Sequence, residues 1–538
     1  MKTVLPTRLI FPATVAGMAL ALCGCNIYSW FSRQNTPSAS LEQLSDKDYS
    51  IADSDDDGVY VEKDGLLPYS LRKLIQSNGS DALDSNGKRS VLVLPIEFSD
   101  YPFPSSYSKA IEDVLNGEAL ENGQSGVSRF YFESSFHKLD LSFKVQNPFK
   151  VGLTAKNAYK RFVGEAGKND YGQSLVSAAV ESLRKRDGFD ITDFDLDKDG
   201  SLDYVLAIYS TPFVFASPSV EEFDKEQFFA SYTYWAEGRK NPASPGLNLF
   251  TWLSFDAFFG QGHEADSHSL IHTIGHALGL PDQGPTYVGA DGNKPFHPLG
   301  EMDLMDGNIG DHNCFSKALL GWNNPKITYD SCEVSLNPSW KDGDCLLIPA
   351  GNFHGSLYDE YLLLEYYCPE GLNAYDATHP YYSSKGFGRP GVKLYHVDAR
   401  VICVDVDMKN NEVISKRATY YHGENIQGNL SGGTLRYFRM AASNDEKDPS
   451  IADPSFSLIH LLESGGENTL ASGAKASDAS LFHEGDVFGF GKRNEIGKTY
   501  GEAFLPKGGS MNNGESFPFE ITVSSLDEEA RIIIRKNS

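Results

Sequence analysis

Little in this chain favours a membrane-embedded, nucleic-acid-binding or redox protein. After the first two dozen residues no apolar run is long enough to cross a bilayer, so the mature chain is not expected to span one. Basic residues are scarce: Lys+Arg 47 against Asp+Glu 73 leaves a net charge of −26, which argues against nucleic acid or anionic lipid as a partner and suits cation binding. Cysteines number 7 in 538 residues and none are spaced C-x-x-C, so zinc ribbons and thioredoxin-type chemistry are not expected. Five of them, Cys314, Cys332, Cys345, Cys368 and Cys403, lie beyond the first segment; their odd number leaves one thiol over whatever disulfides form. No internal repeat is evident.

What is present begins at the N-terminus. MKTVLPTR carries positive charge and is followed by the short apolar run LIFPATVAGMALAL and then by LCGCN. Leu22, Cys23, Gly24 and Cys25 have the pattern of a bacterial lipobox, a small residue preceding the cysteine that takes diacylglycerol. Residues 1–25 are therefore read as a lipoprotein signal peptide and lipobox, with Cys25 as the lipidated mature N-terminus. The expected location is the bacterial cell surface or periplasmic face, with the membrane met only through that lipid. Residues 26–89 are polar, with an acidic run at Asp53, Asp55, Asp56 and Asp57. They are expected to form a flexible tether with at most a short helix near LPYSLRKLI.

From residue 90 the pattern alternates. VLVLPIEF reads as a buried strand, SGVSRFYFESSF as a helix, KLDLSFKVQ as a strand and YGQSLVSAAVESLRKR as a helix. In FDLDKDGSLDYVLAIYS, Asp195, Asp197, Asp199 and Asp203 surround Gly200 in the order D-x-D-x-D-G-x-x-D, which folds carboxylates around a calcium-sized ion. Leu206 stands where an EF-hand would carry its bidentate glutamate and a strand follows, so a single-loop calcium site is expected.

The chemistry concentrates in HSLIHTIGHALGLPD, residues 268–282. His272 and His276 are four apart in a helix-compatible run, so they share one face and can offer two imidazole nitrogens to one zinc ion. Gly279 can end the helix in a left-handed turn, Pro281 keeps it from resuming, and Asp282 then supplies a carboxylate as third ligand. The order H-x-x-x-H-x-x-G-x-x-D is that of zincins whose third ligand follows a glycine turn. In such peptidases the residue after the first histidine is a glutamate, the general base that activates water. Here it is Thr273, which has no charge and no useful pKa for that task. His268, one turn earlier on the same face, reads as support for the ligands or polar surface. Past a glycine-rich loop, Met305 falls where a Met-turn would underlie the metal, and FSKALLGW reads as a closing helix. From residue 325, DCLLIPA, YLLLEYY, GVKLYHV, FEITVSS and ARIIIRK alternate as in a β-sandwich.

In this light the chain resembles the immune inhibitor A-type zinc metallopeptidases, secreted bacterial enzymes. VLVLPIEFSDYPF, SRFYFESSFHKLDLSFKV, FDLDKDGSLDYVLAIY, HALGLPD, DLMDGNIGDHNCFSKALLGW, YLLLEYY and GVKLYHVDAR follow in the family's order over roughly residues 90–400. The resemblance implies an α+β fold: a zincin-like metallopeptidase domain at 90–324, then a β-rich, sandwich-like region at 325–538. It implies His272, His276 and Asp282 as zinc ligands, Met305 as the Met-turn and calcium in the Asp-rich loop. It places the family glutamate at Thr273. His312 could stabilise an oxyanion, or serve structure alone. The expected function is a lipid-anchored, zinc-binding protein with lost or strongly reduced endopeptidase activity toward a protein or peptide. Two alternatives stand beside it: an active endopeptidase with a displaced base such as Glu264 or Glu301, and a structural or peptide-binding surface protein with a vestigial site.

Overall fold

The computed structural model describes residues 59–60, 66 and 70–537, except 162–171, 213–230, 237–239, 261–263, 285–295, 352, 408, 411, 420, 422–428, 431–432, 445–455 and 506–508. The lipobox, Cys25 and the acidic run at 53–57 lie outside these residues. Among the described residues no helix is long and apolar enough to cross a membrane.

The protein is α+β. Its first sheet is built from β1 (Gly87–Glu97), β2 (Leu139–Val145), β3 (Val205–Tyr209), β4 (Tyr232–Trp235) and β5 (Leu249–Ser254), in the spatial order β2-β1-β3-β5-β4. β2, β1, β3 and β5 run parallel, and β4 closes that side antiparallel to β5. Parallel strands need crossovers that cover both faces, so such strands read as continuous apolar runs. VLVLPIEF is one of these: Val91 and Val93 enter the core on one face, Leu92, Leu94 and Ile96 the core on the other.

The helices that supply this cover are α1 (Leu71–Ser77), α2 (Tyr107–Asn116), α3 (Val127–Ser134), α4 (Gln173–Arg184), α5 (His268–Ala277), α6 (Leu304–Gly307) and α7 (Cys314–Leu319). α4 turns Leu175, Val176, Ala179 and Val180 to one face of the sheet. On the other face α3 and α5 bury Phe130, Tyr131, Ile271 and Ile274.

Beyond α7 come β6 (Lys326–Thr328), β7 (Cys332–Leu336), β8 (Cys345–Pro349), β9 (Glu360–Tyr367), β10 (Gly391–Asp398), β11 (Val401–Asp407), β12 (Glu412–Thr419), β13 (Thr434–Met440), β14 (Ile459–Leu461), β15 (Val487–Phe488), β16 (Phe519–Leu526) and β17 (Ala530–Lys536). A second sheet runs β6-β8-β9-β10-β14, with Val59–Tyr60 added beside β6. A third runs β15-β16-β17-β7, and β12-β11-β13, with Asn429–Leu430 added beside β13, form a fourth.

The second and third sheets face each other as a sandwich: Leu346, Ile348, Leu362 and Leu364 share a core with Ile521, Val523, Ile532 and Ile534. The alternate residues Cys345, Leu347, Tyr361 and Leu363 face the opposite way and join the core that holds Ile271, Ile274 and Met305. Side chains alternate across a strand, so one sheet serves two cores. The boundary expected at residue 324 is therefore not a break in packing.

The expected tether from 26 to 89 also needs correction at its end. Leu66, Leu71, Leu74 and Leu83 are buried in the main core, and β1 already begins at Gly87. Ser70 caps α1 by accepting a hydrogen bond from the Lys73 amide at 3.3 Å. The polar look of this stretch reflects long-range partners for its charges, described below, rather than solvation.

Candidate metal centre

α5 spans His268–Ala277 and is buried along most of its length. Its end is set by Gly279, at φ +99°, where a side chain would be strained and an added Cβ would lie 2.4 Å from Ile75 Cδ1 of α1. The Leu280 amide then donates back to the Gly275 carbonyl at 3.0 Å, and the reversed chain brings Asp282 to the two histidines.

His272, His276 and Asp282, each 5 % exposed or less, place one ligand atom apiece within 4.8 Å of one another. His272 Nε2 and His276 Nε2 are 2.9 Å apart, and lie 3.2 and 3.4 Å from Asp282 Oδ1. Ligand atoms of a tetrahedral zinc at bond lengths of about 2.0–2.1 Å are separated by about 3.3 Å, so the spacing fits such an ion within a few tenths of an ångström. The orientation fits too. His272 Nδ1 meets the Leu304 carbonyl at 2.9 Å and His276 Nδ1 the Leu280 carbonyl at 2.8 Å. A carbonyl can only accept, so each Nδ1 carries the proton and each neutral Nε2 turns a lone pair inward. The Asp282 carboxylate, both oxygens buried without a hydrogen-bond donor, faces those lone pairs. Three acceptors converging with no proton between them are the donor set of a cation.

The floor is made by the turn after the glycine-rich loop. Met305 is fully buried and lies against α5 at Gly275, where an added Cβ would meet its Sδ at 2.7 Å. The same turn presents the Leu304 carbonyl to His272, so one short element both supports the helix and orients a ligand. Gly275 and the carbonyls of Leu280 and Leu304 shape the cluster at positions that the motif does not reveal. A glycine inside an otherwise apolar helix was the one available signal for the close approach.

Thr273 is buried, and its hydroxyl donates to the Ser269 carbonyl at 2.6 Å, back along the helix. Glu301 sits at φ +61° and gives its carboxylate to Lys475 at 2.6 Å and to Ser384. It is engaged away from the histidines. Glu264 is exposed. Among the described residues the carboxylate that joins His272 and His276 is that of Asp282.

His312 lies inside the core. Its ring lies among Phe130, Tyr131 and Trp322 at 5.8–6.0 Å, and its Cε1 is 3.6 Å from where a Gly275 Cβ would be. Both ring nitrogens are buried without a hydrogen bond, and burial pushes the imidazole down to about 3. This places a neutral imidazole in the core on the inner side of α5.

His268 is not surface. Its Nε2 meets Asp376 at 2.9 Å and its Nδ1 Asp266 at 3.1 Å, with the Gln124 amide 2.6 Å from Nδ1. Burial opposes its charge, but the two carboxylates carry it up to about 9, so it is an imidazolium at neutral pH.

The Asp-rich loop forms a second cluster from Asp195, Asp197 and Asp203, again within 4.8 Å. Asp199, expected as a fourth ligand, is not part of it: its Oδ1 accepts from the Ser201 amide at 2.7 Å and its Oδ2 pairs with Lys240. Burial, with Asp197 and Asp195 adding to it, pushes Asp203 up to about 7. Asp195 is raised by burial and by the charges of Asp199 and Asp197.

Compared with known proteins, the chain matches no protein-family model and no curated protein sequence.

Proposed function

We propose that this protein is a lipid-anchored, zinc-binding member of the immune inhibitor A-type metallopeptidases, with a zincin-like fold and with endopeptidase activity lost or strongly reduced. The observation that carries the reading is the convergence of His272 Nε2, His276 Nε2 and Asp282 in a buried pocket, beside a threonine whose hydroxyl is turned back to Ser269. The Met305 turn under α5 and the calcium-type loop at Asp195–Asp203 support the resemblance, and the LCGC segment at 22–25 supports the lipid anchor on the outer face of a bacterial membrane.

His272, His276 and Asp282 would hold the zinc, which when bound supplies Lewis acidity toward a peptide carbonyl. The chain's own contribution is incomplete. Leu280 and Leu304 fix the imidazoles, but Thr273 is an alcohol and takes up no proton near neutral pH. General-base catalysis contributes about 10²–10⁴-fold, so a chain without it is slow toward peptides while still able to bind one. Glu301, tied to Lys475 and Ser384, is a poor candidate for a displaced base.

The test is a Thr273→Glu variant assayed on an unfolded protein substrate with zinc content measured alongside. Glu suits the helix better than Thr, and hydrolysis is expected to rise by about 10²-fold or more. A wild type that already matches the variant would show that another group serves as base. Absence of zinc from both proteins would leave the structural, vestigial reading.

A further inference from the structure

The β-rich region carries a cavity of its own, of about 240 Å³, at the end of the second sheet. β14 is the last strand there, and its His460 stands directly opposite His396 of β10 in the antiparallel register. Both imidazoles line the cavity. His396 donates its Nε2 proton to Glu360 Oε1 at 2.8 Å, and Glu360 also accepts from the Asn512 and Asn513 amides at 2.5 and 2.7 Å. That carboxylate is fully engaged inside the fold. His460 is different. It is 4 % exposed, and its Nε2 has no hydrogen-bond partner. Burial and the neighbouring His396 push the imidazole down to about 3, with Asn468 opposing them, so the ring is neutral at physiological pH.

The other lining groups decide what enters. Phe296 and Phe504 stand 5.3 and 5.7 Å from the His460 ring, steeply inclined to it, and supply apolar surface beside it. Ser457, Asn468 and Asn512 add a hydroxyl and two carboxamides. Among the described residues no lysine, arginine, aspartate or glutamate lines the cavity. Asp398, which the Asn512 side chain touches at 2.8 Å, is neutralised by Arg400 at 2.7 Å. An anion therefore finds no counter-charge here, and neither does a cation. Imidazole, hydroxyl and carboxamide groups match ligand groups that both donate and accept, as a hydroxyl does, while phenyl rings cover C–H surface. The space suits one six-membered ring with its substituents and lies below the about 300–1,000 Å³ of drug-sized pockets.

We propose that this cavity is a binding site for a neutral pyranose sugar, with His460 as its central hydrogen-bonding residue. A sugar hydroxyl gives the imidazole the partner it lacks, which relieves the cost of a buried polar atom left without one. Asn468 and Ser457 are placed to take further hydroxyls, and Phe296 and Phe504 meet the C–H groups of the sugar ring. The β-rich region thereby has a ligand of its own, and the inference rests on neither metal and on none of the peptidase chemistry.

The test is binding of the methyl glycosides of glucose, galactose, mannose and N-acetylglucosamine to the full chain in a zwitterionic detergent, by saturation-transfer NMR and calorimetry. N-acetyltyrosinamide, an aromatic ring with one hydroxyl, is titrated beside them. At least one glycoside is expected to bind with a Kd of about 1 mM or tighter, the scale for about twelve non-hydrogen atoms in a small site. His460→Phe keeps a ring of similar bulk and should weaken that binding about tenfold. Ala503 lines the cavity from the helix Tyr500–Phe504, and Ala503→Phe should fill the space and abolish binding. Absence of binding by every glycoside overturns the proposal, as does binding that survives unchanged in either folded variant. N-acetyltyrosinamide binding where the sugars do not would replace the sugar by an aromatic side chain and overturn the assignment. Should His460→Phe fail to fold, the wild-type titrations and Ala503→Phe still decide the matter.

Discussion

The histidine site and the Asp-rich loop solve the same problem, holding acceptors close together, in opposite ways. At the histidine site the ligands are nearly inaccessible and each imidazole is oriented by a backbone carbonyl, so the geometry is imposed by a helix, a glycine turn and the Met305 turn. In the loop the acids are oriented by backbone amides: Gly200 donates to Asp195 at 3.0 Å and Leu196 to Asp203 at 3.2 Å. Asp197 and Asp199 keep side-chain exposures of 32 % and 25 %, and cationic side chains reach them from elsewhere in the chain. The first site is rigid because its surroundings are packed. The second depends on charge balance, which solvent and ions can change.

The largest expected effect falls on the histidine site. Asp282→Ala removes a ligand outright, and zinc affinity should drop by at least about 100-fold, beyond what loss of an outer partner usually costs. Asp197→Asn should abolish calcium binding and leave zinc affinity nearly unchanged. Equal effects of the two variants on zinc, measured by competition titration, would break the contrast between the sites.

The pH response of the His268 cluster comes next. His268 is held at about 9 against 6.5 for an exposed histidine, so its contribution, about 3 kcal/mol, is fully present below pH ~6.5 and is lost as pH rises through ~9. Denaturant titrations of the wild type should therefore show stability falling across that window. His268→Phe should flatten the slope, and an unchanged slope would mean that the imidazolium is not where the stability lies.

Gly275→Ala sharpens the packing side of the comparison. The new methyl meets the Met305 thioether at 2.7 Å, and although that side chain can give way, overpacking should cost about 1–3 kcal/mol and weaken zinc binding. Calorimetry on the metal-free and zinc-loaded proteins would separate the two effects. A variant as stable as wild type would show the Met305 floor to be soft.

A second pH response belongs to the loop. With Asp203 raised to about 7, the folded state holds a proton that the unfolded chain releases near 3.8, so calcium-free protein should lose stability as pH rises from about 4 through 7. Calcium should remove this trend. A melting temperature with the same pH trend in calcium and in chelator would leave no cation at Asp195, Asp197 and Asp203.

Read from one end, the sequence by itself determined the elements whose signals are local. The apolar run at 91–98 falls on β1, the helical period at 173–184 is α4, and the run YLLLEYY lies in β9, buried on both faces. The spacing of His272, His276, Gly279 and Asp282 sufficed to bring the two imidazoles and the carboxylate together, because a helix turn and a glycine reversal are short-range geometry. Tertiary structure decided whatever depends on distant partners. Residues 70–84 look like a polar tether until Arg72 finds Asp197 and Leu71 and Ile75 find Gly279. Asp199 looks like its neighbours until Lys240 claims it, and His312 looks like any polar residue until the rings of Phe130, Tyr131 and Trp322 enclose it. A charge or an imidazole carries no local mark of what will neutralise or bury it. Only the fold supplies the partner, and with it the role.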